Sequence, residues 1–379
     1  MKRRRQRGEG ALYQRADGLW TARFYYRDEL GRRQRATVTR KTMSEAREAM
    51  RTLRAKEESG VDPRAARTAT LAHLLQRWLE DVAKPTVRPS TLRSYRGIVT
   101  HITPLIGSIL VADLTASNVV HALAELDRRG VSPRIRALVV FVLRRVLKQA
   151  ELWKMADRNV AQLVDKPRVK RMEVRVWNPE QVNAFLDAAR EDRLFALYQL
   201  ALGTGMRQGE LFALRWSDVD LDAGSISVQH TLEPTARELA EPKSARGRRK
   251  IEIPPSLIGG LRGHRAKLLA EGHPHGYVFT DTDGKPLRGS NVYRRSFVPL
   301  VALADAIARA NGNESGVPLI RFHDLRHTAA TLMLAASVHP KIVQERLGHA
   351  TIAITLDTYS HVIPTMQREA AIAVDHFFR

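Results

Sequence analysis

The 379-residue chain contains no cysteine, which excludes disulfides, thiolate zinc sites and thiol catalysis and leaves the redox compartment open. It also has no apolar run close to the roughly 20 residues needed to cross a bilayer. The segment from Met1 to Arg7 carries the charge of a secretion signal, but Gly8, Glu9 and Gly10 follow it instead of an apolar stretch, so export is not expected. Acidic residues are scarce: 40 Asp+Glu stand against 62 Lys+Arg, a net charge of +22. An imbalance of this size calls for a polyanionic partner. Aromatic residues make up only 6%, yet 44% of the chain is apolar, enough to build cores in the two to three domains that about 150 residues per domain implies.

Membrane surface and nucleic acid both present dense phosphate. A membrane binder concentrates its basic residues on one helix or one run. Here they recur at Arg32 and Arg33, Arg128 and Arg129, from Lys166 to Arg171, and from Arg246 to Lys250. Any single run reads as a solvated face, but several separate elements that must all touch one long anion favour nucleic acid.

The fold class expected is multidomain α+β. Residues 1–62 hold 17 Lys+Arg against 9 Asp+Glu and read as a small three-stranded sheet plus one helix. Residues 19–26 and 33–39 form a hairpin about a turn at 28–31, and a helix over 45–56 follows an N-cap at Ser44. A linker is placed at 60–68. Residues 68–165 read as an all-α bundle: Leu71, Leu74, Leu75, Trp78 and Leu79 trace one helical stripe, with further helices over 92–102, 119–126 and 135–147, the second ending at Pro104. The charged stretch 165–171, with Pro167, is an exposed linker. Residues 174–379 form a mainly α domain with a small antiparallel sheet. Asn178, Pro179 and Gln181 open a helix; strands are expected over 226–228 and 250–253 around a basic hairpin, with a third over 277–279, and helices over 290–310, 324–336, 340–347, 351–361 and 365–377.

Three segments carry residues capable of chemistry. Gly205 ends one helix and Arg207 starts the next, with Glu210 at i+3 placed to orient its guanidinium. A held Arg suits phosphate, because its planar fork makes two directed hydrogen bonds; a tightly packed helix–turn–helix fits the same residues. The spacing of Gly203, Gly205 and Gly209 misses the dinucleotide fingerprint. His323 and Arg326, at i and i+3, sit in a first helical turn that favours anions. His323 and His327, at i and i+4, match a helical metal pair, although Asp324 stands where a metalloprotease has Glu. Tyr359 follows His349 by ten residues, between Thr358 and Ser360, a polar setting that fits either a nucleophile or a packed ring with one hydrogen bond.

In order and separation, Thr204 to Arg207 with Glu210 and Leu211, then His323 to Thr328, then Leu347 to His349, then Tyr359 resemble the signature of the tyrosine recombinases, the phage-integrase family. The resemblance implies a site-specific DNA recombinase that cuts and rejoins strands through a 3′-phosphotyrosyl bond, with neither a nucleotide nor a metal cofactor. It implies Tyr359 as nucleophile, Arg207 and Arg326 as clamps on the non-bridging oxygens, His349 as a further donor, and His323 in proton transfer. The family's general-acid Lys lies on a β-hairpin; Lys243 matches it best and Lys250 is the weaker candidate. By the same resemblance, 1–62 is an arm-binding-like module, 68–165 a core-binding domain and 174–379 the catalytic domain. The partner is double-stranded DNA at attachment-type sites, bound by a homotetramer with accessory DNA-bending or directionality proteins, in the cytoplasm at the nucleoid. The alternatives are a transposase or chromosome-resolution recombinase of the same chemistry, a non-catalytic DNA-binding regulator, and a metal-dependent nuclease.

Overall fold

The computed structural model describes residues 11–27, 32–58, 69–170, 175–233, 239–240, 247–273, 276–359 and 374–378. The turn at 28–31, the linker at 60–68, Lys243 with most of its hairpin, and most of the helix expected over 365–377 lie outside these residues. The chain divides into two compact units, Met1–Arg171 and Met172–Arg379.

The first unit contains two separate cores. In the amino-terminal part, β1 (Ala11–Gln14), β2 (Trp20–Arg27) and β3 (Arg33–Arg40) form an antiparallel meander. Alternation along β2 buries Ala22, Phe24 and Tyr26 with Ala36 and Val38 of β3 and Leu53 of α1 (Met43–Glu58). The opposite face exposes Tyr13 and Tyr25, each under an arginine: Arg23 lies 5.5 Å from the Tyr13 ring and Arg33 lies 4.3 Å from Tyr25. The helix begins two residues earlier than Ser44 suggests, because the Thr42 hydroxyl accepts the Glu45 N–H at 3.2 Å.

The second core is the bundle. Its first helix, α2 (Leu71–Arg77), passes through a π-helical turn (Trp78–Ala83) into the short α3 (Lys84–Thr86). It is followed by α4 (Pro89–Ile106), α5 (Ala116–Arg128) and α6 (Pro133–Leu152). The expected stripe of Leu71, Leu74, Leu75, Trp78 and Leu79 is buried to 2% exposure or less. One boundary moves: α4 runs through Pro104 instead of stopping there. The missing N–H falls in the last turn, which Gly107 closes by donating to the Thr103 carbonyl at 3.0 Å. No helix among the described residues is long and apolar enough to cross a membrane.

In the second unit, Asn178 and Gln181 form the expected capping box of α7 (Pro179–Ala188). Trp177, Phe185, Tyr198 and Phe297 interlock at ring distances of 4.8 to 6.0 Å to form the centre of the core. Around them stand α8 (Phe195–Thr204), α9 (Gln208–Ala213) and a three-stranded antiparallel sheet in the order β4 (Val219–Asp220), β5 (Ser225–Val228), β8 (Arg249–Glu252). Between β5 and β8, β6 (Thr231–Leu232) and β7 (Leu239–Ala240) form a second small ribbon.

Two expectations fail here. The third strand is β4; residues 277–279 make only an isolated bridge from Tyr277 to Arg215, with Val278 and Phe279 wholly buried. A short apolar run is compatible with either arrangement. A helix also stands where none is expected, α10 (Pro255–Ala270). Gly259, Gly260 and Gly263 depress its intrinsic propensity, but burial of Leu257, Leu261, His264 and Leu268 holds one face of it on the core. Downstream, α11 (Gly289–Val292) continues through a π-helical turn (Tyr293–Phe297) into α12 (Val298–Ala310). Then come α13 (Asp324–Ala335), α14 (Pro340–Leu347) and α15 (Ile352–Tyr359).

Candidate active site

Three sequence blocks meet through main-chain carbonyls at helix ends. Gly205 caps α8 in the left-handed region at φ +66°, and a Cβ there would lie 2.6 Å from a methyl of Leu347. Glycine is therefore required both by the turn and by the close packing of α14. The carbonyl of Gly205 accepts a hydrogen bond from Arg326 Nη1 at 2.9 Å, and the carbonyl of Leu347 accepts one from Arg326 Nη2 at 2.8 Å. Arg207 Nη2 donates to the next carbonyl, that of Gly348, at 3.1 Å. Two guanidinium groups thus grip adjacent carbonyls immediately before His349.

The arginines differ in access. The Arg207 side chain is 39% exposed, while Arg326 is 4% exposed. Arg207 is held by Glu210 as its i+3 spacing predicts: Nη1 lies 2.8 Å from Oε1, and the Arg207 N–H donates to Oε2 at 2.9 Å. Glu210 is shared with a residue not singled out from sequence, Arg249 on β8, whose Nη2 lies 2.9 Å from Oε2. Arg249 Nε also donates to the Arg346 carbonyl at 2.6 Å. The period-2 pattern of β8 carries the missing signal, since it sets Arg249 on the face of buried Ile251 and leaves Lys250 and Glu252 exposed. Burial alone pushes the Glu210 carboxyl up, but hydrogen bonds from Arg249 and the charges of Arg249 and Arg207 outweigh it and hold the group below the usual carboxylate range.

His323 caps α13, and its ring lies 5.5 Å from that of His327, edge to face. Among the described residues, no group of three or more His, Asp or Glu is placed to hold a metal ion. Although His323 keeps an open surface, the packing around it, then the charges of His327, Arg326 and Arg207, push its pKa down to about 4. His349 falls to about 4 through burial first, then through the charges of Arg326 and Arg207. That both imidazoles feel both arginines places the four side chains in one electrostatic neighbourhood. His349 Nδ1 lies 2.9 Å from the Thr355 hydroxyl on α15. Gln344, 5% exposed, donates to the His349 carbonyl at 2.6 Å.

A cleft of about 820 Å³ opens beside this cluster, lined by Arg248, Lys250, Lys341, Arg346 and His349 among others. Of the two candidate general acids, Lys250 is exposed on β8 and lines this cleft. Lys243 lies outside the described residues. Tyr359 is the last residue of α15, one helical turn beyond Thr355; its side chain lies outside the described set.

Residues 175–366 match the model of the phage integrase family, and residues 70–126 match that of the phage integrase N-terminal SAM-like domain. An integrase of Streptomyces ambofaciens is 28% identical over 100% of this chain and 99% of its own length. A XerC-like tyrosine recombinase of Caldanaerobacter subterraneus is 32% identical, but the alignment spans 54% of this chain and 55% of that relative. Among solved structures, the Tn1549 transposon integrase in complex with transposon right end DNA superposes with a TM-score of 0.65 at 21% identity, covering 79% of this chain and 99% of that one. A lambda integrase dimer bound to a COC′ core site gives 0.57 at 18% identity over 94% and 96% of the two chains. At these identities the superpositions establish the multidomain α+β fold. The family match over half the chain, carrying the ordered Arg, His and Tyr blocks, establishes the rest: the chain belongs to the phage integrase family and is a tyrosine-type site-specific DNA recombinase.

Proposed function

We propose that this recombinase integrates and excises a mobile element by attacking one phosphodiester of duplex DNA with Tyr359. The tyrosine oxygen bonds to phosphorus and the 5′-oxygen leaves, so a 3′-phosphotyrosyl ester preserves the energy of the broken bond. Rejoining is the reverse attack by a 5′-hydroxyl. Arg207, open to solvent and braced by Glu210, and Arg326, anchored on two carbonyls, hold the non-bridging oxygens and offset charge as phosphorus becomes pentavalent. His349 donates to the same oxygens. His323, neutral at physiological pH because its pKa is held near 4, is free to take the tyrosine proton. An entering phosphate brings negative charge, which opposes the arginines and raises both imidazoles towards the range useful for proton transfer. Lys243, or Lys250 from β8, protonates the leaving oxygen.

The observation that carries this reading is the shared grip of Arg207 and Arg326 on the carbonyls of Gly348 and Leu347, which brings two cations together immediately before His349, the residue that lines the basic cleft with the start of the Tyr359 helix. Duplex DNA is the polyanion that the +22 charge requires. Lambda integrase has been solved as a tetramer bound to a Holliday junction, and a homotetramer on DNA is the assembly proposed here. The exposed Tyr13–Arg23 and Tyr25–Arg33 face of the amino-terminal sheet supports the arm-binding-like role of residues 1–62. The bundle, residues 68–165, is the core-binding domain, and residues 174–379 form the catalytic domain. Incubation with a nicked suicide duplex in EDTA tests the chemistry. A covalent, protease-sensitive DNA adduct is expected; cleavage that requires added metal and leaves no adduct would contradict it.

A further inference from the structure

The geometry points to Thr355 as a positioning residue that fixes the tautomer of His349, donating its hydroxyl hydrogen to Nδ1 so that the ring proton sits on Nε2. This rests on the reading above, in which His349 donates to a phosphate oxygen. A neutral imidazole has one N–H, and which nitrogen carries it is set by the partner of the other.

The assignment follows from counting donors. The Thr355 side chain is wholly buried, at 0% exposure. Its one hydrogen bond among the described residues is the 2.9 Å contact with His349 Nδ1. If Nδ1 carried the ring proton it would donate to the Thr355 oxygen, and the Thr355 O–H would be left without an acceptor among the described residues. A buried donor left unpaired is disfavoured. With the hydrogen running from Thr355 to Nδ1, the hydroxyl is satisfied and Nε2 becomes an N–H. Among the described residues Nε2 has no hydrogen-bond partner, so that N–H is available to a ligand. The burial and the arginine charges that hold the ring neutral make the tautomer matter, since imidazolium would donate from both nitrogens regardless.

The arrangement also links two functions. Thr355 and Tyr359 lie at i and i+4 on α15, on one face of the helix. One helix therefore carries both the nucleophile and the hydroxyl that prepares His349 to donate. Gln344 supports the same geometry from α14 by binding the His349 carbonyl.

The test uses the full chain with ring-¹⁵N histidine at pH 8, the His349 signals being identified by their loss in His349→Gln. The expected spectrum shows a protonated Nε2 and an unprotonated Nδ1, shifting towards a mixture of tautomers in Thr355→Val and returning in Thr355→Ser. A protonated Nδ1 in the wild type would overturn the proposal. Single-turnover cleavage of the suicide duplex should fall about 10- to 100-fold in Thr355→Val, less than the loss of a whole donor costs. Thr355→Ser should restore it to within about 3-fold, with DNA affinity and melting temperature held in both variants. Equal rates in Thr355→Val and the wild type, with His349→Ala impaired, would also overturn it. His349→Ala cleaving at the wild-type rate, with the expected spectrum intact, would instead remove the phosphate-donor reading and leave the tautomer assignment standing.

Discussion

The helical bundle of the first unit and the second unit are both built largely from helices, yet they treat charge in opposite ways. In the bundle, the carboxylates of Glu80 and Glu125 pair with Lys84, Arg96, Arg128 and Arg129 at the surface, and the interior is almost purely apolar. In the second unit, Glu210, Asp324, Arg326, Gln344 and Thr355 are all at or below 5% exposure. Buried charge is costly unless each group is paired and its hydrogen bonds are satisfied. A unit that retains it around one cluster is maintaining the geometry of a site at the expense of easy stability.

Substitutions should divide the two regions accordingly. The largest effect is expected for Arg326→Ala, which removes a guanidinium anchored on two carbonyls. Single-turnover cleavage should drop by about 100- to 1000-fold, and Arg326→Lys should recover little, because an ammonium cannot span both carbonyls and still present a planar fork. An Arg326→Lys rate near the wild type would break the comparison.

Next is Glu210→Gln, which leaves Arg249, 8% exposed, without its counter-charge. Denaturant unfolding should show a loss of about 3 kcal/mol. Glu125→Gln in the bundle, which loses only exposed partners, should leave the unfolding curve nearly unchanged. Similar values for the two would mean that burial does not separate the regions.

The smallest effect is in pH dependence. His323 and His349 are held near 4 in the folded chain against about 6.5 when unfolded. As the pH falls, the unfolded chain therefore takes up protons first. The stability is full above about 6.5 and is lost as the pH falls towards 4. Replacing both histidines with Gln should make the melting temperature fall less steeply between pH 6.5 and 4, the rest of the slope belonging to groups that include His264 and His327, whose pKa burial also lowers; an unchanged slope would assign the whole loss to other groups.

Much of this was legible in the sequence for definite reasons. Arg207, His323, Arg326 and His349 stand out because their order and separation, with Tyr359, resemble the tyrosine recombinase signature, and Glu210 follows from i+3 geometry. The bundle was readable from a single apolar period. Thr355 was not, because in a run containing Thr351, Thr355 and Thr358 only the tertiary fold decides which hydroxyl reaches His349. Arg249 was masked by its basic neighbours, and α10 by three glycines that tertiary burial overrides. Residues 277–279 depart from the expected strand because an apolar triplet fits a strand and a buried connection equally well.

The most direct test of the account is the identity of the attacking group. The adduct trapped on a suicide duplex should, after proteolysis, yield one DNA-linked peptide, with the DNA on Tyr359. Tyr359→Phe should abolish the adduct while duplex affinity stays unchanged. DNA attached to another residue, or an adduct that persists in Tyr359→Phe, would contradict the account at its centre.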